Sequence, residues 1–183
     1  AALLKDPDKS NTTLIDIANA QFMAGNIELA KQWLGDVRNP GSEDEEAYLD
    51  LQAAIADKEG RKSDCIKIAR TLYETFPKVM NLGRLAAFLP EAEADRVLKE
   101  HEQFRNGNTA NLEFMQLLAG MKRYEQLSGY VDRYEKDLTT LDAEELTELA
   151  DAIEKDGQKA LADHIRDWIV EEPEDAQAFD DKD

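Results

Sequence analysis

Between Leu49 and Pro77 two amphipathic stretches flank an acidic, glycine and basic turn, Glu59-Gly60-Arg61, and Pro77 ends the second stretch. The first places Leu49, Gln52, Ala53 and Ala56 on one stripe, and the second places Cys65, Ala69 and Leu72 on another, the spacing of helices that pack on one another. Moved back 35 positions, the same skeleton returns as Leu14, Ile17, Ala18, Gly25, Ala30, Leu34 and Val37, with Gly25 matching Gly60 and Ala30 matching Cys65. A repeated helix, turn, helix unit leaves little room for any fold but a helical one. Small residues at Ala53 and Cys65 let the two helices approach closely.

The rest of the chain extends this pattern unevenly. A helix over 12–23 turns at Ala24-Gly25-Asn26 into one over 27–37, which Asn39-Pro40-Gly41 breaks. Ser42 and Glu45 have the spacing of a capping box for a helix over 43–58, and Ser63 starts a helix that ends at Phe76-Pro77. A third unit is irregular: one helix spans 79–89, Pro90 opens the next, and Asn106-Gly107 closes it. A fourth pair is expected over 110–119 and 124–136, with Gly129 weakening its second helix. Asp142 and Glu145 cap a fifth pair that turns at Gly157, carries Leu146, Leu149, Ala150, Ile153, Ala162, Ile165 and Ile169 on its stripes, and ends at Pro173.

This small-residue, Gly and Pro spacing resembles the tetratricopeptide repeat, a 34-residue helix–turn–helix unit. The likeness is closest over 11–77 and 142–173; Leu14 and Leu49 stand where that family has an aromatic, and the third unit departs in length. It implies an all-α fold, a right-handed superhelix or α-solenoid of about five antiparallel helix pairs. Residues 10–173 would form that domain. Residues 1–9 read either as the end of a preceding repeat, of which Ala1 to Leu4 would be the last turn, or as a frayed terminus. Residues 174–183 form an acidic tail with few apolar residues, expected to be disordered.

Charge narrows the partners. With 22 basic and 40 acidic residues the net charge is −18, which disfavours nucleic acid and anionic membrane surfaces and favours basic or neutral partners. No apolar run approaches the length of a membrane span, so no membrane insertion is expected. A single cysteine excludes an intramolecular disulfide and suits the cytoplasm; a periplasmic location stays open if an upstream segment is removed. The clusters Glu43–Glu46, Glu144–Glu145 and Glu171–Asp175 are read as carboxylates at helix starts or as solvated surface.

Motifs for catalysis, metals and cofactors are lacking, and none of the three is expected. His101 and His164 lie far apart, neither follows a Glu at the spacing of bundle metal sites, and both read as helix-surface residues. Asp6, Asp8 and Ser10 imitate a calcium loop, yet Asn11 and Ile17 occupy the positions of its Gly and its bidentate Glu. Asn11-Thr12-Thr13 fits the glycosylation pattern and is given no weight.

The resemblance implies a binding scaffold whose first helices line a concave groove. On that geometry the inward residues are Ile15, Asn19 and Phe22; Asp50, Ala54 and Asp57; Arg84 and Phe88; Leu112 and Gln116; Asp151 and Glu154. Ile15 and Asp50 stand where a carboxylate clamp would need Lys. A protein or peptide with apolar anchors and basic flanks fits better, anchors meeting Ile15, Phe22, Phe88 and Leu112, and cations meeting Asp50, Asp57, Asp151 and Glu154. The expected function is therefore a protein-interaction scaffold or adaptor. An interaction module of a longer enzyme or regulator comes second, and a self-standing helical enzyme a distant third.

Overall fold

The computed structural model describes residues 10–104 and 109–169; the expected N-terminal turn at 1–9, the Asn106-Gly107 stop, Pro173 and the acidic tail lie outside them. Among the described residues all regular structure is helical, in ten helices: α1 Asn11–Met23, α2 Ile27–Asp36, α3 Ser42–Lys58, α4 Lys62–Thr75, α5 Val79–Phe88, α6 Glu91–Phe104, α7 Leu112–Gly120, α8 Tyr124–Leu138, α9 Ala143–Lys155 and α10 Lys159–Arg166. Packing divides the chain into two units, Ala1–Lys99 and Glu100–Asp183, with the boundary inside α6.

In the first unit α1 packs on α2, α3 on α4, α1 on α3 and α4 on α5; in the second α7 packs on α8, α9 on α10, and α7 on α9. Four of these pairs close with the same turn. Gly25, Gly60, Lys122 and Gly157 have positive φ. Each donates its N–H three residues back, to Phe22, Asp57, Ala119 and Glu154, while the next residue donates five back, to Gln21, Ala56, Leu118 and Ile153. This is a Schellman cap, which satisfies the last carbonyls of the first helix. The residue after the left-handed one then starts the second helix, as the carbonyls of Asn26, Arg61, Arg123 and Gln158 accept from Ala30, Cys65, Leu127 and Ala162. No loop separates the two helices.

With the turn fixed, burial falls at fixed offsets from it. Ala18, Ala53, Met115 and Ala150 lie seven positions before the left-handed residue and Ala30, Cys65, Leu127 and Ala162 five after it, and all eight are at most 1% exposed. The Cys65 thiol lies 4.0 Å from the Ala53 carbonyl across α3 and α4, and burial pushes its pKa up. The α5–α6 pair lacks this turn: Leu89 is extended and the Pro90 carbonyl accepts from Glu93 and Ala94, which gives the third unit its shorter connection.

Several expectations are corrected. Ser42 does not cap α3; Gly41 holds the cap position, with no side-chain bond, and its carbonyl accepts from Asp44 and Glu45. The α3 core comprises Leu51, Ala53, Ile55 and Ala56, whereas Leu49 and Gln52 are half-buried, because α3 packs against α1, α2 and α4 and so buries more than one stripe. On α1, Ile15 is buried and Ile17 half-buried for a related reason, as Ile15 joins the cluster of Leu14, Ala18, Leu34, Leu51 and Ile55. His101 is not a surface residue: it is 4% exposed and stacks on Phe114 with centroids 5.4 Å apart. Phe114 in turn meets Tyr130, whose hydroxyl accepts from the Asn111 N–H at 2.8 Å. By contrast, Asp142 caps α9 as read, its side chain accepting from the Glu145 N–H at 2.9 Å.

Lys122 alone among the four turns lacks glycine, at φ 57°. Lys122→Gly is expected to raise stability by up to about 1 kcal/mol, and Gly157→Ala, at φ 84°, to lower it by a similar amount. Paired thermal melts check both, and equal shifts of one sign would discount the turn. Ala53→Leu should cost about 1–3 kcal/mol by overpacking against Cys65; an unchanged melting temperature would show that the α3–α4 contact can open.

Candidate functional site

The first helices of the first unit are tied to their neighbours by polar contacts. Thr12 donates to Asp44 at 2.8 Å, and the Asn11 side chain bonds both backbone groups of Arg38, donating to its carbonyl at 2.8 Å and accepting from its N–H at 3.1 Å. From α3, Glu46 accepts from Lys78 at 2.6 Å and from Asn81 at 3.2 Å, and Asp50 pairs with Arg84. Asn81 is buried and also donates to the Phe76 carbonyl at 2.9 Å. Glu46, 27% exposed, is held below the ordinary carboxylate range, first by the Lys78 hydrogen bond and also by Asn81.

The twelve residues expected to line a groove differ in exposure and in whether their charge is already met. Asn19 and Asp57 are exposed; Phe22, Ala54 and Phe88 are half-buried, and Phe22 packs on the core cluster. Ile15, 5% exposed, belongs to the core and cannot anchor a partner. Asp50 and Arg84 neutralise each other rather than standing open to a ligand. In the second unit Leu112 is half-buried and Gln116 exposed, but Asp151 and Glu154 both accept from Arg166, at 2.6 and 2.7 Å, and the two carboxylates raise its pKa. Their charge is already met inside the α9–α10 pair.

A different part of α9 faces α7. Gln116, Ala119, Gly120 and Tyr124 on one side and Glu148, Leu149, Ala152, Ile153 and Asp156 on the other line a groove of about 350 Å3. Burial of Leu146, Leu149, Ala150 and Ile153 sets the phase of α9 so that Glu148 and Ala152 flank this groove, while Asp151 and Glu154 turn toward Arg166. That spacing was present in the sequence and carried the signal. Asp156 accepts from the Tyr124 hydroxyl and lies 3.5 Å from Lys122; the hydrogen bond to Asp156, with burial second, pushes the Tyr124 pKa up to about 12. Glu148 is exposed and makes no ion pair with a described residue.

The second helices border further recesses. One of about 510 Å3 lies among α2, α3 and α4, and one of about 690 Å3 between α8 and α10, where His164 stands 3.8 Å from Asp132. Among the described residues no three His, Cys, Asp or Glu side chains gather as a metal site, and no helix is long and apolar enough to cross a membrane. Compared with protein-family models and with curated proteins, the chain matches none.

The Glu46 contacts carry a pH dependence. A carboxylate whose folded pKa is depressed contributes stability that is complete above its unfolded pKa and lost as pH falls through the folded one. Glu46→Gln is therefore expected to lower the melting temperature at pH 7 and to shrink its drop between pH 7 and pH 3. Melts of both proteins at the two pH values check this, and an undiminished drop would assign the acid sensitivity elsewhere.

Proposed function

We propose that the chain is a protein-interaction scaffold built as a tetratricopeptide-like α-solenoid, and not an enzyme. The four equivalent turns support the repeat reading, since units of one geometry stack into an array whose stability is close to a sum over neighbouring contacts. A cytoplasmic location belongs to the same reading and is supported by the free, buried thiol of Cys65.

The observation that carries the binding reading is the α7–α9 groove. Ala119 and Ala152 give it apolar surface above the buried Leu149 and Ile153, Glu148 gives it a negative charge that no described cation meets, and Asp156, held by Tyr124 and Lys122, adds a carboxylate already partly neutralised. Such a surface takes a protein or peptide segment with an aliphatic anchor and a basic flank, the anchor supplying affinity and the charge supplying orientation. The net charge of −18 favours the same partner and repels phosphate backbones.

Titration of a labelled peptide with leucine anchors and lysine flanks tests this. Glu148→Lys is expected to weaken binding at least tenfold while leaving the helical spectrum unchanged. Asp57→Lys makes the same charge change in the first unit and should alter affinity no more than about twofold if the effect is local rather than that of the whole field. Equal losses in the two variants would remove the groove from the reading.

A further inference from the structure

The recess among α2, α3 and α4 has the opposite lining. Its wall carries three cations, Lys31, Arg61 and Lys67, against one acid, Asp64, in a chain where acids outnumber bases 40 to 22. The other two recesses hold acids without Lys or Arg: Glu148 and Asp156 in one, Glu125 and Asp132 in the other. Two of the three cations are already paired. Lys31 donates to Glu59 at 2.7 Å and to Glu28 at 3.1 Å, and Arg61 donates to Glu59 at 2.7 Å and pairs with Asp64. Lys67 is exposed and makes no ion pair with a described residue, so it holds a charge available to a ligand.

The same lining carries the buried Leu34 and Ile55 and the half-buried Leu49 and Ile68, beside the polar groups of Tyr48, Gln52 and Thr71. The recess is also kept open. Gly35 in the last turn of α2 lines it, and a Cβ built there meets no atom within 4 Å. Packing therefore does not require glycine at this position, in contrast to Ala53 or Ala69, which are buried at 1% and 0%.

We propose that this recess is a second docking site, for an acidic peptide that seats aliphatic side chains over Leu49 and Ile68 and places a carboxylate on Lys67. Charge complementarity selects this occupant over a basic one because Lys67 is the lining charge left unmatched once Lys31 is met by Glu28 and Glu59 and Arg61 by Glu59 and Asp64, and it attracts a carboxylate and repels a lysine. The proposal does not depend on the α7–α9 groove, which prefers the opposite charge.

The test uses two labelled peptides with the same leucine anchors, one flanked by glutamates and one by lysines, at 0.15 M salt, where fields from acids farther than about 8 Å are largely screened. Gly35→Met fills the recess without a clash at Cβ, and Lys67→Glu reverses its available charge. Each is expected to weaken the glutamate peptide at least tenfold, to leave the lysine peptide unchanged, and to leave the melting temperature equal or higher for Gly35→Met. Absence of glutamate-peptide binding, its insensitivity to both variants, or equal loss of both peptides would overturn the proposal. So would a concentration-dependent dimer in sedimentation that Gly35→Met dissolves, since it would assign the recess to a second copy of the chain.

Discussion

Four of the helix pairs depend on one backbone arrangement, the left-handed residue whose successor both closes one helix and opens the next. A helix end leaves four carbonyls without partners, and the next helix leaves four N–H groups. At Gly25, Gly60, Lys122 and Gly157 the chain meets part of both demands with two hydrogen bonds and no intervening loop. The register of the two helices is then set before any side chain is chosen. Which positions face the partner helix follows from that register, and those positions hold Ala, Cys, Met or Leu, all nearly fully buried. Small residues at Ala18 with Ala30, and at Ala53 with Cys65, let the backbones approach, while the pair formed by Met115 and Leu127 holds a larger core that aromatic Phe114 and Tyr130 complete.

Surface electrostatics works differently. Exposed ion pairs contribute roughly 0–1 kcal/mol each, so the many pairs here are not what holds the helices together. Their effect is to decide which charges remain available. Asp50 is met by Arg84, Asp151 and Glu154 by Arg166, and Glu46 by Lys78, whereas Glu148, Asp57 and Lys67 have no such partner among the described residues. A count of acids along a stripe therefore overstates what a ligand would meet. The α7–α9 groove and the α2–α4 recess differ in sign because different charges are left over in each.

This explains what was legible in the sequence. Helix positions were readable to within two residues, because Gly60, Gly157 and Pro90 mark boundaries through local backbone chemistry and Asp142 caps through its own side chain; the exception is α10, expected to carry Ile169 and run on toward Pro173, which ends at Arg166. Lys122 is not legible as a turn residue, because a lysine carries no sign of a left-handed backbone, though it lies 35 positions before Gly157, as Gly25 does before Gly60. His101 escaped for another reason: its burial comes from Phe114, which a local helical pattern does not bring beside it. Ile15 and the pair Asp151 and Glu154 were placed on a groove by carrying a stripe along each helix, and three-dimensional neighbours, α3 in one case and Arg166 in the other, took those residues first.

The glycines separate structural need from surface shape. At Gly25, Gly60 and Gly157 positive φ requires a residue without a Cβ penalty, so their presence says nothing of ligands. Gly35 and Gly129 have ordinary helical backbones and border the two recesses beside the second helices, and in a helix each weakens the structure relative to alanine by as much as about 1 kcal/mol. At Gly129 a Cβ would touch only the end of the flexible Arg133 side chain, at 3.4 Å, and at Gly35 it would touch nothing. Neither backbone strain nor close packing accounts for the missing side chain at these two positions. At Gly35 the missing side chain leaves space in a recess among α2, α3 and α4 whose lining includes the half-buried Leu49 and Ile68 and the unpaired Lys67.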